Sequence, residues 1–343
     1  MRRVYLDLAM RRLARGDLGF FLRAGASLAG LRAGNPRPLL ATLVVTYRCD
    51  LRCAMCDLPS RGDRRRELST RGLLRILDEL AALGTLGVGI TGGEPLLRAD
   101  LEAVIRHGAR RGLLTHLNTN GTLVTPERAR SLFAAGLDSV NLSLDGPDAE
   151  THDRLRGAKG SFERVLRAAA RFCALPGART RVALTCALGG ANAGRARALL
   201  ERARDLGVDR VGFLPVHTFP EAAVAPVEEA QAARGLADRA RHDPLIENSP
   251  EYLALFEGAW RAEPRPIACL APKSSLVVDC YGSVFPCVPL HAAGRAVGRG
   301  GLGRLWRSNR YDRARHALEN CRACHWNCHT ELDLVLGRLG VRP

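Results

Sequence analysis

The chain has 343 residues and 46% apolar content, enough for one large domain and a small one. Its formal charge is +16, almost all of it arginine, since Lys159 and Lys273 are the only lysines, and aromatic residues make up 5%. So few stacking rings argue for an arginine-biased composition and against a nucleic-acid partner, and no stretch reaches the roughly 18 apolar residues that cross a bilayer.

Residues 1–38 read as an N-terminal helical extension. Leu6, Met10 and Leu13, then Leu18, Phe21 and Leu22, recur at helical spacing. This predicts two helices packed on the main domain, with a helix lying on an anionic membrane surface as the sharper alternative. A secretory signal would need a longer apolar run and a small-residue cleavage site. The chain is therefore expected in the cytoplasm.

Residues 39–263 alternate between apolar runs and amphipathic helices. Residues 40–46 form the first run. A helix follows over 70–83, with Leu73, Leu74, Leu77, Leu80 and Leu83 on one face and Gly84 as its stop. Strands over 86–91, 113–118, 139–144, 181–187 and 210–215 alternate with helices over 100–111, from Pro126 to Gly136, and over 161–174 and 194–206. A sixth helix is expected after Pro226. Regular alternation implies a parallel sheet with helices outside. The fold class is therefore α/β: an incomplete (β/α)6 TIM-like barrel, followed by a small Cys-rich C-terminal domain. Chemistry in such barrels sits at the carboxyl ends of the strands, and the polar motifs fall there.

Pro264 and Pro266 mark the boundary of a second domain over 264–343. Its first recognisable unit is a hairpin, residues 275–279 and 283–288 around Tyr281 and Gly282.

Eleven cysteines are unevenly spread, with three between Cys49 and Cys56 and six between Cys269 and Cys328. Without an export signal, such clusters read as metal sites rather than disulfides. Cys49, Cys53 and Cys56 lie in a loop after the first strand, at spacings of four and three. A 4Fe–4S cube usually takes four cysteines. Three leave one iron open to a small chelating molecule, such as an amino acid through its amine and carboxylate. Zinc would want a fourth ligand nearby, and none stands close in sequence.

This CxxxCxxC loop resembles that of the radical S-adenosylmethionine superfamily, and the resemblance extends beyond the loop. Gly92-Gly93-Glu94-Pro95 looks like the family motif that binds the methionyl amino group, through Glu94 and the local backbone. Asn118-Thr119-Asn120-Gly121, Ser143-Leu144-Asp145-Gly146 and His152-Asp153-Arg154-Leu155-Arg156-Gly157 match segments of the branch with auxiliary clusters. The resemblance thus puts Asn120 and Asp145 near the cofactor. It makes Ser143 a contact of its ribose or carboxylate, and Arg156 a partner of the carboxylate. Met55 stands where the family usually has an aromatic residue; its polarizable thioether can still pack on adenine.

Cys269, then Gly282 and Cys287, then Cys321-Arg-Ala-Cys324 and Cys328, resemble the SPASM auxiliary-cluster domain or its shorter twitch form. The resemblance implies one auxiliary 4Fe–4S cluster held by Cys269, Cys287, Cys321 and Cys324, with Cys328 the rival for one position. A zinc ribbon using His325 or His329 is the alternative. Cys280 is open to three readings: buried thiol, ligand, or hydrogen donor near the substrate. Cys173 and Cys186 are expected in the core.

The implied activity is formation of a 5′-deoxyadenosyl radical that takes hydrogen from an unactivated C–H, with reduced flavodoxin or ferredoxin as electron donor. Net oxidation or cross-linking of the substrate is the expected outcome, with epimerisation through Cys280 or lipid modification as alternatives. A small-molecule substrate stands first, a peptide side chain second and a lipid third, because the residues before 40 are too few for a winged-helix peptide-binding module. Outside enzymes, an iron–sulfur electron carrier or a zinc-dependent nucleic-acid protein remains.

Overall fold

A computed structural model describes residues 9–14, 16–62, 66–175, 180–216, 227–287, 292–296 and 301–342. Six parallel strands follow one another in sequence order across the sheet: β1 (Leu40–Val44), β2 (Gly87–Thr91), β3 (Leu114–Thr119), β4 (Ser139–Ser143), β5 (Arg181–Leu188) and β6 (Arg210–Pro215). Among the described residues, the helices of eight residues or more are α1 (Leu18–Arg32), α2 (Thr70–Ala82), α3 (Leu101–Arg110), α4 (Pro126–Ala134), α5 (Ala149–Arg156), α6 (Ser161–Cys173), α7 (Ala196–Asp205), α8 (Val227–Ala240), α9 (Asn309–Ala317) and α10 (Asn327–Arg338). The sheet runs from β6 at one edge to the C-terminal strands at the other and does not close. The fold is an incomplete α/β barrel.

Local chemistry explains the elements. Ser69 caps α2 by accepting from the Gly72 amide, and the buried face of α2 carries Leu73, Ile76, Leu77 and Leu80. Thr125 caps α4, with Pro126 at its first turn. Gly136, at φ +93°, adopts the left-handed turn that a side chain resists. The main core fills the space between the strands and α2, α3, α6 and α7.

Three features differ from the sequence reading. The hairpin strand β7 (Ser275–Val278) joins the barrel sheet itself, pairing parallel with β1 from Leu40↔Ser275 to Leu43↔Val278. Strands β8 (Ser283–Phe285) and β9 (Gly294–Arg295) then add antiparallel; Val288, the end of the expected second hairpin strand, lies outside the described residues. In the N-terminal extension, α1 buries Phe20, Ser27 and Leu31, while Met10, Leu13, Leu18 and Leu22 face outward. Cys186 is in the core as expected, but Cys173 is exposed: it is the last residue of α6, where its thiol donates to the Gly207 carbonyl at 3.7 Å.

Candidate active site

The cysteine loop leaves β1 and is gripped from three sides. The amides of Gly93 and Glu94 donate to the carbonyls of Thr46 (2.9 Å) and Arg48 (2.8 Å). This approach explains the two glycines. A Cβ would lie 2.3 Å from the Thr46 oxygen at Gly92 and 2.2 Å from the Arg48 oxygen at Gly93, inside any tolerable contact. On a second side, the Ala54 amide donates to Leu155 O (3.0 Å), and Gly157, left-handed at φ +65°, closes α5 against Arg52. On the third, Asn120 Nδ2 donates to Asp50 Oδ1 (2.8 Å), and the Thr122 hydroxyl donates to the other Asp50 oxygen. The ends of β2, β3 and α5 thus fix the backbone that carries Cys49, Cys53 and Cys56.

The thiols are graded in exposure: Cys49 and Cys53 are half-buried and Cys56 is exposed. Burial pushes Cys49 up to about 11, although the Leu51 amide donates to its sulfur. Arg156 Nη1 donates to Cys53 Sγ at 3.8 Å. Thiolates are the metal-binding form, and a guanidinium aimed at one of them suits an anionic cluster. Among the described residues no three His, Cys, Asp or Glu side chains converge tightly enough for a single metal ion. A cube whose irons each take one thiolate does not need them to.

Glu94 is fully buried. Its carboxylate accepts from the Leu96 amide (2.9 Å), the Asn120 amide (2.8 Å) and the Thr119 hydroxyl (2.7 Å). It therefore ties the end of β2 to the end of β3. Burial pushes its acid up to about 7, more than the three donors pull it down. Asp145, also fully buried, accepts from the Ala187 amide and lies 2.7 Å from Arg156 Nε. One edge of the Arg156 guanidinium is thus spoken for, and the other faces the cysteine loop. Ser143 and Met55 are half-buried, Ser143 at the end of β4 opposite Thr185.

His152 fixes this corner. It is 1% exposed, and its Nδ1 accepts from the Asp145 amide at 3.1 Å, so the ring is neutral there. Burial, then the nearby Arg156 charge, lowers its pKa from 6.5 to about 4. A base held neutral in the folded state contributes stability that is full above pH 6.5 and is lost as pH falls toward 4. The cost is about 3 kcal/mol. Urea melts of His152→Asn, which keeps an acceptor without a titrating ring, should lose this part of the acid dependence.

The sequence reading missed the sheet's polar face. His116 bonds Ser139 Oγ (2.6 Å) and Asn118 Oδ1 (3.1 Å), and Arg181 pairs with Glu247 in the interior. His116, Asn118, Ser139, Asn141 and Ser143 alternate with Leu117, Val140 and Leu142, which are core. Parallel strands covered on both faces read as continuous apolar runs, so this alternation was the available signal of an open polar interior.

The C-terminal cysteines gather at a separate place. The Cys269 amide donates to Cys321 O at 2.8 Å, and the thiol of Cys287 is influenced by those of Cys324, Cys269, Cys321 and Cys328. Arg265, almost fully buried, pairs with Asp333 (2.7 Å) and donates to Thr330 Oγ1 (3.0 Å), and Asp333 accepts from the Leu270 amide. A buried cation near the Cys269 and Cys324 thiols suits a cluster of negative charge. Cys328 lies in the first turn of α10 and is exposed at the surface, while His325 and His329 are buried. Cys280 belongs to neither set. It is fully buried among Val44, Tyr47, Val277 and Tyr281, and its carbonyl accepts from the Leu68 amide.

The Radical SAM superfamily model matches residues 43–188, and a model of an iron-sulfur cluster-binding domain, SPASM, matches residues 269–329. A PqqA peptide cyclase from Methylocella silvestris is 34% identical over 278 residues, covering 76% of this chain and 69% of that protein. Its counterpart from Ruegeria pomeroyi is 31% identical over 84% of this chain and 80% of that protein. An AdoMet-dependent heme synthase from Methanosarcina barkeri is 42% identical, but over 38% of this chain and 37% of its own length. In fold, the chain is similar to Streptococcus suis SuiB bound to precursor peptide SuiA, with a TM-score of 0.62 at 17% identity over 84% of this chain and 69% of that one. The structure of anSMEcpe with bound AdoMet gives 0.63 at 18% identity over 82% of both. With its cysteine loop clamped at the strand ends and a second cysteine set in a matched C-terminal domain, the chain belongs to the radical S-adenosylmethionine superfamily, in the branch that carries a SPASM domain.

Proposed function

We propose that this enzyme oxidatively modifies a peptide, forming a cross-link or ring at an unactivated carbon. The observation that carries the reading is the similarity to PqqA peptide cyclases, at 31–34% identity over 76–84% of this chain. It moves the peptide ahead of the small molecule that the sequence reading placed first.

Cys49, Cys53 and Cys56 would hold the 4Fe–4S cluster with one iron open to S-adenosylmethionine. Bound there, that pair supplies a 5′-deoxyadenosyl radical. Glu94 and the Gly92–Gly93 backbone take the methionyl amine, with Pro95 fixing the turn. Arg156, held by Asp145 on one edge and facing the cysteine loop with the other, takes the carboxylate. Asn120, Ser143 and Asp145 shape the pocket, and Met55 packs on adenine. The polar strand face around Asn118 and Asn141 orients the substrate. Cys269, Cys287, Cys321 and Cys324 would hold one auxiliary 4Fe–4S cluster, with Cys328 left outside. The burial of Cys280 favours a packing role.

The test is anaerobic incubation with S-adenosylmethionine, reductant and candidate precursor peptides. The expected product is lighter than the peptide by two hydrogens, with one 5′-deoxyadenosine per product. A product of unchanged composition that takes up one deuterium from deuterated water would replace the oxidative reading with epimerisation.

A further inference from the structure

The outward side of the N-terminal helices is apolar where a surface helix is normally polar. Leu18 is 66% exposed, Leu22 75%, Met10 61% and Leu13 50%. Gly25, Ala26 and Ala29 continue the same side of α1. Leu339, 39% exposed, lies beside the end of α1, where Arg32 donates to its carbonyl. Of the six large hydrophobic residues exposed among the described residues, four lie on the N-terminal helices and a fifth, Leu339, beside the end of α1. Such a concentration in one region marks a contact surface.

Its location is equally specific. Ser27 donates to Gly84 O and Arg23 to Gly112 O, so α1 crosses the turns that lead into β2 and β3. This is the amino end of the strands, opposite the cysteine loop. A partner here leaves the active site open.

Charge selects the partner. The acids nearby already carry arginines: Asp17 pairs with Arg12, Asp78 with Arg111 and Asp209 with Arg11. Arg32, Arg110 and Arg342 stand exposed at the rim, in a chain of net charge +16. A second copy would set like charge against like charge. An anionic bilayer surface offers both an apolar layer for the leucines and negative headgroups for the arginines, and it demands no shaped pocket in return. No helix among the described residues is long and apolar enough to cross a membrane, so the contact lies in the plane of the interface.

We propose that the α1 face is a peripheral docking surface for anionic lipid bilayers, placing the strand-end active site toward the solvent. The experiment is sedimentation of the full chain with vesicles of phosphatidylcholine alone and of phosphatidylcholine with 40% phosphatidylglycerol (about the proportion that gives a strongly anionic surface). Wild-type protein should partition at least about tenfold more strongly onto the anionic vesicles, with the excess weakened by salt. Leu18→Glu/Leu22→Glu should lose that excess while keeping the wild-type circular dichroism and melting temperature, since both side chains are exposed. Equal partitioning on the two vesicle types, or unchanged partitioning of the variant, would overturn the proposal. So would a wild-type dimer in sedimentation velocity that the variant abolishes, because the face would then be a copy-to-copy interface.

Discussion

Replacing Cys49, Cys53 and Cys56 together by alanine abolishes conversion of S-adenosylmethionine to 5′-deoxyadenosine and methionine, while iron at the C-terminal cysteines is retained. The expected loss is complete to the limit of detection, because the cofactor chemistry has no other site of entry. The structure makes the variant informative. The loop is held by backbone bonds from Gly93, Glu94 and Ala54 and by the Asp50–Asn120 bond, none of which uses a thiol. The apoprotein should therefore keep its fold, and circular dichroism checks this. Cleavage at the wild-type rate in the triple variant would remove the radical site from this loop.

The second large effect belongs to Cys269→Ala/Cys287→Ala. These cysteines lie in a different domain match from the loop and are more than 200 residues away in sequence. The variant is expected to form 5′-deoxyadenosine at a reduced but measurable rate and to lose product by more than about a hundredfold, the order of effect expected when a group needed only for turnover is removed. Both thiols are buried and β7 pairs with β1, so local packing will suffer. The ratio of nucleoside to product, rather than the absolute rate, separates misfolding from lost chemistry. Normal product from this variant would leave the second set a structural role, and the oxidative reading would go with it.

The barrel was legible because its signals are local. Ser69, Pro126 and Gly136 punctuate the helices, and the leucine spacing of α2 declares its buried face. The cysteine loop and the Gly92–Pro95 turn were legible as motifs. What they do for each other was not: the packing of Gly93 on the Arg48 carbonyl, too close to admit a Cβ, and the clamp of Glu94 on Thr119 and Asn120 join segments that touch only after folding. The same holds for Asp50, whose bond to Asn120 spans 70 residues, and for Arg265 with Asp333. The pairing of β7 with β1 closes a loop of more than 200 residues, and no periodicity records it. In the N-terminal extension the helix packs on the main domain, but the direction of its leucines was not legible. Apolar spacing gives a helix face but not its direction, and here the spaced leucines look outward.

The central claim is that the chain carries two clusters on two cysteine sets, one of them open for cofactor chemistry. Anaerobic iron and sulfide analysis of the isolated chain tests it most directly. The account predicts about eight irons and about eight sulfides per chain, as two 4Fe–4S clusters require, falling to about four of each in the Cys49/Cys53/Cys56 alanine variant. Zinc in place of iron at the C-terminal set, or an iron content that the triple variant leaves unchanged, would contradict it.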